Sequence, residues 1–212
     1  VNPGDQIITS PFTMSATASA ILFNNALPVF ADIEERTFCI DAKSIERNIN
    51  KKTKAILAVN ILGGPADYDA ILKVARKHKL KVIEDNAQSP GAVYKSRFAG
   101  TIGDMGIFSF NIHKVIQCGE GGVLVTNNKK YAFRSQLIRN HGEAVINDLC
   151  KKNKKDFEPV LGNNFRLTEM QAAIAIEQFK KMDKLNKPRI ILADYLTKNL
   201  LQFNWLVPTL LP

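Results

Sequence analysis

A lysine amine is the candidate for covalent chemistry in this sequence. Lys114 follows an apolar segment at residues 106–110 and precedes a turn that contains Gly119, Gly121 and Gly122. A lysine that is desolvated or placed near other cations has a lowered pKa, and its neutral amine can then attack a carbonyl carbon. The glycines would let the backbone approach a bound group closely. This pattern alone does not separate a reactive lysine from a surface lysine beside an ordinary loop.

A carboxylate and an amide follow another apolar segment. Asp85 and Gln88 come directly after residues 81–84, which read as a buried strand. A carboxylate at the end of a strand can face a cavity and hold a cationic partner. Paired with a pyridinium nitrogen, it would keep that ring protonated and therefore able to accept electrons. The alternative is that Asp85 caps the next segment, which is a frequent role of aspartate after a strand.

Short apolar runs alternate with helical patterns along the chain. The predicted strands cover residues 6–9, 27–31, 54–59, 81–84, 106–110 and 123–126. The predicted helices cover residues 14–24, 67–78 and 129–139, a helix capped by Asp41, and two helical stretches within 168–200.

This alternation predicts an α/β fold, a three-layer sandwich in which a mostly parallel sheet is flanked by helices, with a C-terminal helical extension. Ligands of such sheets bind beyond the carboxyl ends of the strands. The rule places residues 85–88 and 111–122 at one edge of the sheet.

Composition excludes several classes of function. The apolar share of 45% and the charged share of 23% are ordinary for a globular protein. No apolar run approaches the ~20 residues that cross a bilayer, and the first residues do not resemble a signal peptide. Cys39, Cys118 and Cys150 are far apart, so we expect a cytoplasmic protein without disulfides or a metal site.

The net charge of +9 raises the question of nucleic acid. Basic residues concentrate at residues 151–155 and 180–189, without interleaved aromatic residues or a nucleic-acid motif in the first run. We expect solvated lysines and no nucleic-acid partner. The alternative is that the positive charge attracts an anionic substrate such as a nucleotide sugar.

The combination of motifs resembles the DegT/DnrJ/EryC1/StrS family of pyridoxal 5′-phosphate-dependent sugar aminotransferases, which have the fold type I architecture. The core of the resemblance is Asp85-x-x-Gln88, Ser109-Phe110-x-x-x-Lys114 and the GEGG turn at residues 119–122. Further matching segments are PGDQII at 3–8, PFT at 11–13, ATA at 16–18, PVFADI at 28–33, GPAD at 64–67, NHG at 140–142, and NFRLTE and QAA within 164–173.

The resemblance implies roles for residues at the predicted edge. Lys114 would hold the cofactor covalently and later move a proton, and Asp85 would pair with its pyridine nitrogen. Gln88 would lie near the ring and its 3′-oxygen, and Ser109 would donate to the phosphate. Lysine at this position favours an aminotransferase over the related sugar dehydratases, in which histidine replaces it.

Two more positions gain a role from the same resemblance. Asn164 matches a residue that reaches across a dimer interface toward the partner's phosphate, which implies a homodimer with shared active sites. A capping or loop asparagine is the alternative. Met14 stands where relatives carry an aromatic residue against the cofactor ring, and a polarisable thioether can also pack on such a ring.

The resemblance also implies a domain organisation and a reaction. Residues 1–180 would form the cofactor-binding large domain without its N-terminal part, and residues 181–212 a connecting helix and the start of a truncated small domain. The reaction would move an amino group, from glutamate, to a nucleotide-linked keto-sugar in surface-polysaccharide or amino-sugar biosynthesis. The alternatives are a truncated non-catalytic fragment, a sugar dehydratase or a cyclitol aminotransferase.

Overall fold

A six-stranded sheet forms the centre of the computed structural model, which describes residues 1–143 and 160–209. Its strands are β1 (Gln6–Thr9), β2 (Leu27–Phe30), β3 (Thr53–Val59), β4 (Lys81–Asp85), β7 (Met105–Ser109) and β8 (Gly122–Val125). They lie in the order β2-β1-β3-β4-β7-β8, and only β8 runs antiparallel to its neighbour. A separate hairpin consists of β5 (Val93–Tyr94) and β6 (Arg97–Phe98).

Helices cover both faces of the sheet. They are α1 (Ser15–Phe23), α2 (Ala42–Asn48), α3 (Tyr68–His78), α4 (Lys129–Arg139), α5 (Glu169–Phe179) and α6 (Met182–Leu200). Alternate strand residues point to opposite faces, so Ile7 packs with Ile21 of α1 while Ile8 packs in a second cluster with Ile45 of α2 and Ile71 of α3. The predicted three-layer α/β fold with a mostly parallel sheet is confirmed.

Local hydrogen bonds explain where several helices begin. Asp41 caps α2, because its carboxylate accepts from the backbone N–H groups of Lys43 and Ser44 at 3.0 Å each. This is the cap that the sequence predicts. Thr168 and Gln171 form a reciprocal capping box at the start of α5.

The C-terminal extension consists of α5 and α6, as predicted. No residue of α6 is buried, and Asn186 holds it to the sheet domain by donating to the Pro90 carbonyl at 3.0 Å. The predicted domain boundary at residue 180 falls between these helices. The division of the chain into two domains stays a prediction. None of the helices within the described ranges is long and apolar enough to cross a membrane. The lysine-rich run at 151–155 and Cys150 lie outside the described residues.

A buried glutamate organises the loop that leads into β7. Glu84 is fully buried, and its carboxylate accepts from the backbone N–H groups of Gly100, Ile102 and Gly103 at 2.5 to 2.6 Å. These bonds satisfy three backbone donors, of which those of Gly100 and Ile102 are buried and would otherwise lose their hydrogen bonds to water on folding. The loop therefore has a fixed position against β4.

Replacement of Gly106 by alanine is expected to destabilise the fold. A Cβ atom there would overlap the Gly100 carbonyl oxygen. Because the Cβ position is fixed by the backbone and the oxygen belongs to the backbone, the overlap can be relieved only if β7 or the loop at Gly100 is displaced. We expect a loss of about 2–3 kcal/mol in the free energy of unfolding, measured by urea denaturation. Gly4→Ala is the control, because that glycine has a positive φ of 83° but an open surrounding, and about 1 kcal/mol is expected there. Equal losses at the two positions would contradict the overlap.

Candidate active site

Five strands end at the same edge of the sheet, and β8 begins there. The parallel strands β1, β2, β3, β4 and β7 point their carboxyl ends to this edge, while the antiparallel β8 starts at Gly122, which pairs with Ser109. Asp85 and Ser109 are the last residues of β4 and β7, and the segments that follow β1, β4 and β7 carry Met14, Gln88 and Lys114. Sequence reasoning predicted this convergence for the segments after β4 and β7.

Asp85 is the buried acid of the site. It is the last residue of β4, only 7% of its surface is exposed, and its carboxylate accepts from the Thr17 hydroxyl at 3.0 Å and from the Ala87 N–H at 3.1 Å. Both donors are neutral. No cation within residues 1–143 and 160–209 forms an ion pair with it. A buried carboxylate without a cation is costly unless a positive group joins it.

A network of polar side chains supports the loops beside Asp85. Asn60 Nδ2 donates to Asn86 Oδ1 at 2.7 Å, and Asn60 Oδ1 accepts from the Tyr68 hydroxyl at 2.8 Å. Asn60, Asn86 and Tyr68 are all fully or almost fully buried. Burial, with a smaller contribution from the charge of Glu84, raises the pKa of Tyr68 well above its ordinary value, so its hydroxyl keeps its proton. Sequence reasoning missed this network.

Gln88 lies at the same edge and joins two loops. Its side-chain oxygen accepts from the Leu62 N–H at 3.2 Å. Leu62 belongs to the loop after β3 and has a left-handed backbone conformation with φ of 54°. The Gln88 amide nitrogen forms no hydrogen bond within the described parts of the chain, so it remains available as a donor to a ligand oxygen.

Lys114 stands in a loop that is closed at its base. The Phe110 N–H donates to the Gly121 carbonyl at 2.8 Å, and the Cys118 N–H donates to the Phe110 carbonyl at 3.0 Å. Within the loop, the Lys114 N–H donates to the Asn111 carbonyl at 2.9 Å. The Lys114 side chain is partly buried, and among the residues that the structure describes no hydrogen bond or ion pair engages its amine.

Ser109 and Met14 complete the predicted set at this edge. The Ser109 hydroxyl oxygen accepts from the Asn111 N–H at 3.3 Å, which leaves its proton for a ligand. Met14 directly precedes α1, has an extended backbone and is 62% exposed, so its thioether faces solvent. His113, which neighbours the lysine, is exposed.

Asn164 is not joined to these residues by a hydrogen bond. It is exposed, forms a backbone bridge with Asn140, and its side-chain oxygen accepts from the Arg166 N–H at 3.3 Å. Arg166 Nη1 donates to Asn140 Oδ1 at 2.6 Å, which holds the two segments together. The segment continues into α5, where Gln171 Nε2 donates to the Glu120 carbonyl at 3.0 Å in the glycine turn.

The residues at this edge fit an aromatic aldehyde that carries a basic ring nitrogen and an anionic group. Lys114 supplies an amine for the aldehyde, the Asp85 carboxylate suits a protonated ring nitrogen, and Ser109 supplies a hydroxyl donor. Pyridoxal 5′-phosphate has these three groups. No cluster of three or more histidine, cysteine, aspartate or glutamate side chains suited to a metal ion occurs within residues 1–143 and 160–209.

Comparison with known proteins gives consistent similarities. Residues 1–210 match the profile of the DegT/DnrJ/EryC1/StrS aminotransferase family. The chain is 39% identical over 184 residues to the GDP-perosamine synthase of Caulobacter vibrioides, covering 87% of this chain and 48% of that protein. It is 36% identical over 203 residues to the L-glutamine:scyllo-inosose aminotransferase of Streptomyces griseus, covering 94% of this chain and 48% of that protein.

Solved structures of aminotransferases also resemble the chain. An aminotransferase from Psychrobacter cryohalolentis superposes with a TM-score of 0.89 at 34% identity, over 98% of this chain and 55% of that one. NtdA from Bacillus subtilis, solved with bound PMP, gives a TM-score of 0.84 at 34% identity, over 95% of this chain and 44% of that one. The chain spans about half the length of the curated relatives it matches.

Proposed function

Since the chain belongs to the DegT/DnrJ/EryC1/StrS aminotransferase family, we propose that it binds pyridoxal 5′-phosphate through Lys114 and transfers an amino group to a sugar-derived ketone. The observation that carries this proposal is the presence, at one edge of the sheet, of the buried Asp85 carboxylate and of a lysine amine without a partner among the described residues. The cofactor-binding unit would be residues 1–180, with residues 181–212 as a connecting helix and the start of a smaller domain.

Each predicted residue has a role toward the cofactor in this proposal. Lys114 binds the aldehyde carbon, and Asp85 holds the proton of the ring nitrogen. Gln88 donates its free amide group near the ring, and Ser109 donates its hydroxyl to the phosphate. Met14 covers one face of the ring with its exposed thioether.

The bound cofactor would supply an electron sink for the carbanion that forms at the amino carbon. Two side chains of the protein would support this chemistry. The Asp85 carboxylate would keep the ring nitrogen protonated. The Lys114 amine, released when the amino group of the donor takes its place on the aldehyde carbon, would carry a proton to and from the amino carbon. Because the donor must leave as its keto acid before the ketone enters, the kinetics should be ping-pong.

The substrate class rests on the relatives. A nucleotide-linked keto-sugar is favoured by the likeness to a GDP-perosamine synthase, and the net charge of +9 suits an anionic nucleotide. Glutamate is the donor that we propose for this substrate. A cyclitol ketone with glutamine as the donor is the second candidate, favoured by the likeness to the scyllo-inosose aminotransferase. Both reactions would use the same residues.

We further propose a cytoplasmic homodimer with shared active sites, without a nucleic-acid or membrane partner. Asn164 supports the dimer, because it is exposed, and its side-chain hydrogen bond with Arg166 and its backbone bridge to Asn140 do not engage the residues around Asp85. Cys39 and Cys118 are buried free cysteines, and a reducing compartment would keep such thiols reduced.

Amino transfer is tested by mass spectrometry with the chain, pyridoxal 5′-phosphate and ¹⁵N-labelled donors. We expect either glutamate or glutamine, and not aspartate, to convert the bound cofactor to its amino form and then to label a keto-sugar nucleotide or an inosose. The acceptor that takes up the label separates the two substrate classes. A cofactor that binds but exchanges no amino group with any donor would contradict an aminotransferase and favour a non-catalytic relative.

A further inference from the structure

The hydroxyl groups of Thr13 and Thr17 form a series of hydrogen bonds that ends on the Asp85 carboxylate. Thr17 Oγ1 donates to Asp85 Oδ2 at 3.0 Å and lies 2.9 Å from Thr13 Oγ1. Thr17 is 5% exposed, so this contact is shielded from water. The hydrogen bond joins the start of α1 to the end of β4, two segments 68 residues apart in sequence.

The direction of the hydrogen bonds follows from the number of protons. An ionised carboxylate can only accept, so the single proton of the Thr17 hydroxyl is directed to Asp85. Thr17 then acts as the acceptor toward Thr13, which supplies the second proton. Hydrogen bonds in series polarise one another, so Thr13 strengthens the bond that Thr17 makes to Asp85.

This series of hydrogen bonds orders the Asp85 carboxylate but leaves some of its acceptor positions without a donor. Thr17 engages Oδ2 and the Ala87 N–H engages Oδ1, whereas a carboxylate offers about four acceptor positions. The first turn of α1, which contains Thr17, adds the favourable potential of a helix N-terminus for a negative group. The acid therefore has a fixed rotamer and open positions for one more donor.

We propose that Thr17, oriented by Thr13, is a positioning residue that acts through Asp85 on the ring nitrogen of the cofactor. The inference rests on the proposed function, because Asp85 has this role only when the cofactor is bound. Thr17 holds the carboxylate in place before binding, so the ring nitrogen meets an acid that needs no rearrangement. Electrostatic groups are most effective when they are ordered in advance in this way.

The coupling between the two side chains can be measured without any cofactor. Thr17→Val removes the hydroxyl and keeps the shape, and in the cofactor-free chain we expect it to lower the folding equilibrium constant about tenfold. In an Asp85→Asn background, the same replacement should lower it less than about threefold, because the bond is no longer charge-assisted. Equal effects in the two backgrounds would overturn the inferred contact.

The effect on the cofactor is measured with pyridoxal 5′-phosphate that carries ¹⁵N in its ring. We expect Thr17→Val to raise the dissociation constant of the cofactor about tenfold. We also expect it to move the ¹⁵N resonance toward that of an unprotonated ring. Thr17→Ser should preserve both values. Thr53→Val is the matched control, since this buried hydroxyl accepts from the Asn50 N–H at the far end of β3; it should lower stability and leave the resonance unchanged.

The outcomes separate the two proposals. A Thr17→Val protein with an unchanged ¹⁵N resonance and dissociation constant, beside a wild-type chain that binds the cofactor, would overturn the role of Thr17 alone. A wild-type chain that takes up no cofactor would overturn the proposed function, and the role of Thr17 with it.

Discussion

Lys114→Ala is expected to abolish covalent uptake of pyridoxal 5′-phosphate and to lower amino transfer by about 10³-fold or more, because it removes both the covalent anchor and the proton carrier. Covalent uptake is measured by borohydride reduction followed by peptide mass spectrometry. The added mass should appear on the peptide that contains Lys114 in the wild-type chain and nowhere in the variant. Stability should change by less than about 0.5 kcal/mol, since the amine has no partner among the described residues.

Lys73→Ala is the matched control for this experiment. Lys73 is an exposed lysine in the middle of α3, away from the carboxyl edge of the sheet, so its removal should leave uptake and amino transfer unchanged. If reduction still attaches the cofactor after Lys114 is replaced, a different lysine is the anchor and the central assignment is wrong.

Glu84→Gln is expected to cause the largest loss of stability among single polar replacements in the sheet. The amide of glutamine would direct N–H groups at one or more of the three backbone donors that now point at the carboxylate. A buried donor left without an acceptor costs about 1–3 kcal/mol, and the loss of charge-assisted bonds adds to this cost. We expect the free energy of unfolding to fall by about 2–4 kcal/mol in urea denaturation.

The comparison for this variant is Glu35→Gln, at an exposed glutamate without such contacts. That replacement should change the free energy of unfolding by less than about 0.5 kcal/mol. A Glu84→Gln protein as stable as the Glu35→Gln protein would show that the loop before β7 does not depend on the carboxylate.

Local patterns in the sequence were sufficient to predict much of the architecture. The strand that ends at Asp85 and the strand before Lys114 are short apolar runs between helical patterns, and the rule for open parallel sheets places the residues after both strands at one edge. The Asp41 cap could be predicted in the same way, because its hydrogen bonds reach only two and three residues along the chain.

Contacts between distant segments could not be predicted from local patterns. The bond from Thr17 to Asp85 and the network between Asn60 and Asn86 join residues that only the folded chain brings together. The contact between Thr13 and Thr17 is local, since it spans four residues across the start of α1, but Thr13 precedes the helix and helical spacing does not predict the contact.

The β5–β6 hairpin was missed for a different reason. Each strand has two residues, and the turn between them is made by Lys95 and Ser96, both with positive φ. Two-residue hairpin turns of this kind are usually signalled by Asn-Gly or Asp-Gly, and neither pair occurs here. The turn could not be predicted from the sequence, because Lys95 and Ser96 are residue types that seldom adopt a positive φ.

The base of the lysine loop has a consequence for how such a protein can change over time. Two backbone hydrogen bonds between Phe110 and the segment 118–121 close the loop independently of the side chains at its tip. Residues added or removed near residues 111–115 would alter the reach of Lys114 while β7 and β8 keep their register. The reach of the Lys114 amine can therefore be adjusted while the sheet keeps its strand pairing.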